Sequence, residues 1–252
     1  MKRLIEGVYQ LDLGKANVFL IKTQDGLTLI DTAVVGVRQK LESQLAKNGF
    51  RLEDINRILI THAHVDHVGG LKEIQAATDA EVWAHELDAP IVRGESEVPL
   101  PDPKALSLQD RLIGTLIETF VGEKQPPAWV HRELSDGEAL DEVLPGLRVV
   151  HLPGHSPGQI GFWLEPEQLL IGGDVMMHLT PWLTRPIAAY TPDMREADRS
   201  IVKVADLNVR TLGLGHGSAL VGNAAAAVDR LAQKIQRQGG SSLGLTATPS
   251  GK

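Results

Sequence analysis

The chain has 252 residues, and its 25 Lys and Arg against 32 Asp and Glu give a formal net charge of −7. With 42% apolar residues it can bury a sizeable core, and its length fits one large α/β domain. The acidic balance argues against a nucleic-acid partner, because such binding depends on cations that neutralise phosphates. There is no Cys, which excludes disulfides, thiolate metal ligands and a Cys nucleophile.

The N-terminal segment and the overall hydropathy suggest a cytoplasmic protein. Residues 1–7 carry two positive charges, but Glu6 and Asp12 come before any apolar stretch can develop, unlike a secretory signal. No run approaches the roughly 18 consecutive apolar residues of a membrane span. We therefore expect a cytoplasmic location, a small-molecule substrate, and neither a nucleic-acid nor a membrane partner; the sequence leaves the oligomeric state open.

The first part of the chain alternates β-type and α-type hydrophobic patterns. The β-type runs predict strands at 8–11, 17–22, 27–31, 55–60 and 81–84. The α-type runs predict helices at 37–48 and 71–77, and a third that begins near Glu86. Residues 94–132 differ, because five prolines surround one helical stretch at 106–121. Such an insertion is typical of a lid or binding loop, with a plain surface excursion as the alternative.

Strand patterns resume after Gly137. They predict strands at 147–152, 160–164, 169–171 and 209–214, and helices at 194–205 and 224–238. Two groups of strands, each followed by helices, predict an α/β (α+β) sandwich of two sheets covered by helices. We expect a single domain over residues 1–238 and a disordered tail with linker composition at 239–252.

Five of the nine histidines fall where a predicted strand gives way to a loop, the usual place for functional groups on a rigid scaffold. They are His62, His64, His67, His155 and His216. The segment Thr61-His62-Ala63-His64-Val65-Asp66-His67 places four potential metal ligands within six residues. An extended backbone lets His62 and His64 point the same way. This pattern predicts a catalytic metal site.

Asp66 and Asp174 bring the candidate ligands to seven. Asp174 follows a strand and two glycines, His155 lies in a tight Pro/Gly loop, and His216 lies between two glycines. A single catalytic zinc takes about three protein ligands, so seven side chains imply two ions. We expect two divalent metal ions, Zn²⁺ first, with Mn²⁺ or Fe²⁺ as alternatives.

The motif His-x-His-x-Asp-His, followed downstream by a His, an Asp and a His, resembles the signature of the metallo-β-lactamase superfamily over about residues 5–230. The resemblance implies the four-layer αββα metallo-β-lactamase sandwich. It implies one metal bound by His62, His64 and His155, a second bound by Asp66, His67 and His216, and Asp174 bridging them. Asp31, in Leu29-Ile30-Asp31-Thr32, would support the ligand loop without touching metal.

A dinuclear site of this kind predicts hydrolysis. Two ions, two carboxylates and a bridging hydroxide sum to about +1, which suits an oxyanion developing on a carbonyl or phosphoryl centre. Asp66 is the candidate catalytic residue that moves a proton. Met177, His178 and Trp182, in an apolar cluster after Asp174, form a candidate substrate pocket, with core packing as the alternative.

The chain differs from two known branches of the family, and these differences bear on its substrate. Glutathione thioesterases of the family carry an additional C-terminal domain, whereas only 36 residues follow His216. Quorum-quenching lactonases place a Tyr three residues after the bridging Asp, where this chain has Met177. We expect a glyoxalase II-like or lactonase-like hydrolase of a small carboxylic ester or lactone. The alternatives are thioester, phosphoester or β-lactam hydrolysis at the same site, or a mononuclear-iron sulfur dioxygenase.

Overall fold

Two β-sheets are stacked face to face in the computed structural model, which describes residues 1–121 and 125–241. The first sheet contains, in spatial order, β1 Lys2–Ile5, β2 Val8–Asp12, β3 Asn17–Lys22, β4 Leu27–Ile30, β5 Ile55–Leu59, β6 Glu81–His85 and β7 Arg132–Leu134. The second contains β8 Leu147–His151, β9 Ile160–Leu164, β10 Leu169–Ile171 and β11 Thr211–Gly213. Strands β1 to β4 pair antiparallel and β4 to β7 parallel.

Helices cover the outer face of each sheet. Their bounds are α1 Arg38–Ala46, α2 Val65–Val68, α3 Leu71–Thr78, α4 Ala89–Val92, α5 Leu108–Val121, α6 Met194–Asp206 and α7 Ala225–Ser241. Buried residues of α1 and α3 pack on the first sheet, and those of α6 and α7 pack on the second. The expected four-layer αββα sandwich is confirmed. No helix of the described ranges is long and apolar enough to cross a membrane.

The alternation of side chains along β3 explains why the first sheet is buried on both faces. Phe19 and Ile21 belong to the cluster between the sheets, whereas Val18 and Leu20 belong to the cluster under the helices. Successive side chains of a strand point to opposite faces, so a continuous apolar run supplies both layers at once. The second sheet contributes Phe162 to the same inter-sheet cluster.

Several element bounds differ from the sequence expectations. The edge strands β1 and β7 were not predicted, because both are short and rich in charged residues. The helix expected near Glu86 begins only at Ala89 and spans four residues. Within 94–132, α5 is the one α-helix of the described residues, and the segment ends where β7 adds to β6 in parallel. Helix α7 continues to Ser241, and the remaining part of the expected tail, 242–252, lies outside the described residues.

Removing the Phe162 side chain tests the inter-sheet core. Phe162 is fully buried, so we expect Phe162→Ala to lower the free energy of unfolding by about 3–5 kcal/mol through lost burial and the cavity left behind. Denaturant titration followed by circular dichroism measures the loss. Leu179→Ala is the control, since this side chain is 63% exposed and should cost less than about 0.5 kcal/mol. Equal effects of the two variants would contradict this description of the core.

Candidate metal centre

The candidate ligands come from loops that leave neighbouring strands of both sheets. Asp31 follows β4, the segment from Thr61 to His67 follows β5, and Asp174 follows β10. Because parallel strands β4 and β5 end at the same edge of the sheet, their loops meet there. The backbone N–H of Ile160 donates to the Thr61 carbonyl over 2.9 Å and joins the second sheet to this edge. The fold therefore brings distant segments to one place.

All seven expected ligand residues meet at this edge. Ligand atoms lie within 4.8 Å of one another in three groups: His62, His64 and His155; His62, His67 and Asp174; and Asp66, His67 and His216. The first and third groups contain the same residues that the family resemblance assigns to two separate ions. The geometry is therefore compatible with two adjacent cation sites.

Asp174 lies between the two outer groups. Its Oδ2 is 3.5 Å from His155 Nε2 and 3.2 Å from His216 Nε2, and its Oδ1 is 3.5 Å from His67 Nε2. One carboxylate thus faces a histidine of the first group and two of the other. A bridging position requires this arrangement.

Within the described ranges, several buried nitrogen and oxygen atoms of the candidate ligands lack a hydrogen-bond partner, which indicates whether these residues fit metal ions. His62 Nε2, His67 Nε2 and Asp174 Oδ1 are buried and have no hydrogen-bond partner among the described residues. Burying such atoms without a partner costs free energy, and proteins rarely leave them so. Imidazole nitrogens and carboxylate oxygens are suitable ligands for Zn²⁺, Mn²⁺ and Fe²⁺. The donor set therefore fits a pair of divalent cations.

Asp31 orients two of the histidines through a chain of hydrogen bonds. Its Oδ2 accepts from the Thr61 hydroxyl at 2.7 Å and from His67 Nδ1 at 2.8 Å, and its Oδ1 accepts from the Thr61 N–H at 2.8 Å. The Thr61 oxygen in turn accepts from His62 Nδ1 at 3.0 Å. Both rings therefore turn Nε2 towards the interior of the site. Asp31 thus lies behind the candidate ligands, and the family resemblance implies a supporting role at this position.

Asp88 is a positioning residue that the sequence analysis missed. Its Oδ2 accepts from the Ala63 N–H at 2.8 Å and the Ser156 hydroxyl at 2.7 Å, and its Oδ1 accepts from the Gly158 N–H at 2.7 Å. One buried carboxylate thus joins the loop of His62 and His64 to the loop of His155. The sequence signal was an Asp before the Ala-Pro start of a short helix, which resembles a helix cap. Its side chain makes no capping bond, because these loops occupy it.

Thr191 and Tyr190 were also missed. His155 Nδ1 donates to Thr191 Oγ1 over 3.0 Å, and that hydroxyl donates to the Ile187 carbonyl over 2.8 Å. Nε2 of His155 then carries the lone pair, and it lies 2.9 Å from His64 Nδ1 at the centre. The Tyr190 ring lies 6.5 Å from that of His64 between ring centroids. Neither residue stands in a motif, so only the tertiary structure reveals them.

The pKa values divide the histidines into two sets. Burial lowers the pKa of His62 and His64, and it lowers that of His155 to about 3. Burial opposes protonation of the other two rings as well, but Asp174 and nearby carboxylates outweigh it and raise the pKa of His67 to about 9 and that of His216 to about 11. The first three rings are neutral lone-pair donors at pH 7, whereas the last two hold protons.

The two carboxylates that face these rings stay ionised. Burial raises the pKa of Asp66, but the charges of His67 and His216 outweigh it and lower the value. Asp174 follows the same pattern, since His216 and His67 overcome the effect of burial. Two ionised carboxylates and two protonated imidazoles thus balance one another in the centre, and a cation that replaces the two protons meets both carboxylates.

Gly215 allows Asp174, from the second sheet, and His67, from the first sheet, to approach one another. A Cβ at this position would collide with Asp174 Oδ1 and lie 2.5 Å from His67 Cε1. Only a residue without a side chain fits between these two groups. The glycine that precedes His216 is therefore part of the construction of the site.

The expected substrate residues are not brought together. Met177 is buried and lines the cavity above the centre. His178 is absent from the described cavity wall and donates from Nδ1 to the Ser218 carbonyl at 2.6 Å. Trp182 is 65% exposed and lies under the Arg230 guanidinium, also outside that wall. Proximity in sequence to Asp174 thus does not predict which residues line the cavity, because the chain turns outward after Met177.

Comparison with known proteins agrees with this geometry. A profile of the metallo-β-lactamase superfamily matches residues 11–216, and the chain belongs to that superfamily. The probable metallo-hydrolase YflN of Bacillus subtilis (strain 168) is 29% identical over 237 residues, 86% of each chain. The crystal structure of TTHA1623 in a di-iron-bound form is 27% identical, with a TM-score of 0.62 over 87% of this chain and 98% of that one.

A third relative is similar over part of the chain. Hydroxyacylglutathione hydrolase GloC of Haemophilus influenzae is 30% identical over 120 residues, which are 47% of this chain and 49% of its own length. The superfamily is metal-dependent, and the protein is therefore a metallo-hydrolase. The His and Asp cluster described above is its candidate metal site.

Metal loading should release protons. At pH 7 the imidazoles of His67 and His216 are protonated, since their pKa values are about 9 and 11, and each must lose its proton to offer a lone pair. We expect these two imidazoles to release about two protons per chain on saturation with Zn²⁺ or Mn²⁺, and a metal-bound water that ionises to add about one more. Calorimetry in buffers of different ionisation enthalpy counts the protons. His216→Gln should reduce the release by about one proton, and release near zero in the wild type would contradict the protonation pattern.

Removing the Asp88 carboxylate should loosen the centre without removing a ligand. We expect Asp88→Ala to weaken metal affinity by about 10–100-fold, because groups that orient ligands typically contribute that much. Competition with a chromogenic chelator measures it. Asp136→Ala is the control, since Asp136 also accepts a backbone N–H, from His151 at 2.7 Å, but lies at the surface. Unchanged metal affinity in a folded Asp88→Ala protein would contradict the positioning role.

Proposed function

We propose that the protein is a dinuclear metal-dependent hydrolase of a small carboxylic ester or lactone. The observation that carries this proposal is the position of Asp174, whose carboxylate faces His155 on one side and His67 and His216 on the other. A carboxylate so placed can hold two ions at once. Superfamily membership supports hydrolysis, and the ester or lactone bond is our choice among its chemistries.

The cavity over the centre supports a small-molecule substrate. It has a volume of about 790 Å³, and His64, Asp66, His155, Asp174 and His216 contribute to its wall. This volume lies within the range of about 300–1,000 Å³ typical of small-molecule sites. A substrate carbonyl can therefore reach the candidate ligands. Bound divalent ions would supply a lowered pKa for water, towards about 7, and polarisation of the carbonyl oxygen.

Asp66 is placed to move a proton. It lines the cavity, and its Oδ2 lies 3.2 Å from His216 Nε2. A carboxyl group is ionised at neutral pH, so an oxygen of Asp66 can accept a proton there. A proton accepted there can pass to the departing alkoxide. Asp31 cannot serve this purpose, since Thr61 and His67 occupy its oxygens.

Thioester hydrolysis is the second candidate. It is favoured by the similarity to a hydroxyacylglutathione hydrolase, which acts on a glutathione conjugate according to its name. That similarity is confined to about half of each chain, so it supports a shared centre more than a shared substrate. An oxygen ester and a thioester with the same acyl group distinguish the two candidates directly.

Replacing Asp174 tests the dinuclear proposal. We expect about two ions per wild-type chain, and we expect Asp174→Ala to lose at least one of them and to lower kcat/KM by more than about 100-fold. Plasma mass spectrometry measures the metal. Turnover is followed with para-nitrophenyl acetate, γ-butyrolactone, a thioester and nitrocefin. Asp141→Ala is the matched control. The Asp141 carboxylate accepts a hydrogen bond from the exposed Gly146 N–H and does not belong to the groups of candidate ligands.

Three outcomes would overturn or redirect the proposal. Wild-type turnover by Asp174→Ala would exclude a bridging role. One iron per chain with oxygen uptake and no hydrolysis would indicate a mononuclear sulfur dioxygenase. Full loading with two ions and no turnover of any activated ester, lactone or thioester would exclude this substrate class.

A further inference from the structure

The cavity over the metal centre has a polar floor and apolar walls. The floor is formed by the candidate ligands. The walls consist mostly of aliphatic side chains from four separate segments, namely Ile91, Val98, Leu100, Ile117, Met177 and Ile187. None of these residues makes part of the metal centre. They are therefore available to select the substrate.

Helix α5 forms one wall and is seated closely against the 3-10 turn Ala188–Tyr190. The Tyr190 hydroxyl donates to the Gly114 carbonyl at 3.2 Å. A Cβ at Gly114 would lie only 2.9 Å from that of Ala189, so the helix backbone approaches as near as a glycine permits. Ile117, one turn further along, shares this inner face of the helix and lines the cavity. The wall is thus held in a defined position.

The cavity has a closed end and an open end. Ile91 and Met177 are only 6% and 2% exposed although they line it, which places them at its deep end. Ser96 and Glu97 line it and are exposed, which places the mouth on their side. A substrate whose carbonyl group lies over the candidate ligands at the floor must place its apolar chain along these aliphatic walls.

We infer that the site selects substrates with an apolar acyl chain of medium length, and that Ile117 of α5 sets the upper limit of that length. The inference rests on the proposed function, since it assumes that the centre hydrolyses an acyl compound, whether an oxygen ester or a thioester. Burying one methylene from water favours binding by at most about fourfold. Selectivity should therefore rise with each added methylene until the chain reaches the end of the cavity.

A series of para-nitrophenyl esters from acetate to dodecanoate tests the chain length. We expect kcat/KM to rise by about two- to fourfold per methylene up to a medium-length chain and then to fall. A parallel series that keeps the acetyl group and lengthens the alcohol should show a much flatter dependence. An equally steep dependence in the alcohol series would overturn the assignment of the deep end to the acyl chain.

Three variants on α5 test the role of Ile117. Ile117→Trp fills the cavity and should shift the optimum to shorter acyl chains, so that the ratio of kcat/KM for the octanoate to kcat/KM for the acetate falls by about tenfold or more. Ile117→Ala enlarges the cavity and should shift the optimum to longer chains. Leu112→Trp is the matched control, because Leu112 is on the same helix but 65% exposed and outside the cavity wall. It should leave the profile unchanged.

The outcomes separate this inference from the proposed function. Hydrolysis of the acetate and octanoate at equal kcat/KM would overturn acyl selection while leaving the hydrolase intact. An identical optimum in both Ile117 variants would assign the limit to another wall. Absence of hydrolysis across both series in the fully metal-loaded protein would instead contradict the proposed function, and with it this inference.

Discussion

The buried carboxylate of Asp31 is the constraint on which the site depends. The residue is 1% exposed and adopts a left-handed backbone conformation with φ of 62° at the end of β4. Few residues other than glycine tolerate this conformation, and Asp is among them. The turn aims the carboxylate at Thr61 and His67, which bind it through three donors. The orientation of the His62 and His67 rings is therefore a consequence of how one strand ends.

Asp88 is a second buried carboxylate that holds ligand loops in place, here the loop of His62 and His64 and the loop of His155. Its partners, Ala63, Ser156 and Gly158, belong to loops after different strands of different sheets, so one anion joins two segments that are distant in sequence. Each carboxylate accepts several N–H and O–H donors, which offsets the cost of burying its charge. Loops are normally the mobile part of a sandwich, yet here the ligand loops are tied to the sheets. The centre thus gains rigidity without a disulfide, in a chain that has no Cys.

The candidate ligands could be predicted from the sequence because their signal is local. Four ligand types within six residues, placed after a buried strand, predict a metal site with little help from the rest of the chain. The two-sheet sandwich covered by helices followed from strand patterns in both halves of the chain, each followed by helical patterns, and the resemblance to the superfamily implied its four layers. Asp88 could not be found in this way, since its partners lie 25 to 70 residues distant and its neighbours resemble a helix start. Trp182 lies outside the described cavity wall, because closeness in sequence to Asp174 does not determine which way the chain turns.

The candidate ligands and the apolar wall come from different parts of the fold, and this has a chemical consequence. The candidate ligands come from loops tied to both sheets, where buried carboxylates hold them, whereas the Ile117 wall comes from α5 in the insertion. Apolar walls lower the local dielectric constant and strengthen every electrostatic interaction at the floor of the cavity. The same walls decide which molecules enter. A change in the insertion can therefore alter substrate choice while Asp31 and Asp88 keep the centre unchanged, which separates specificity from chemistry within one cavity.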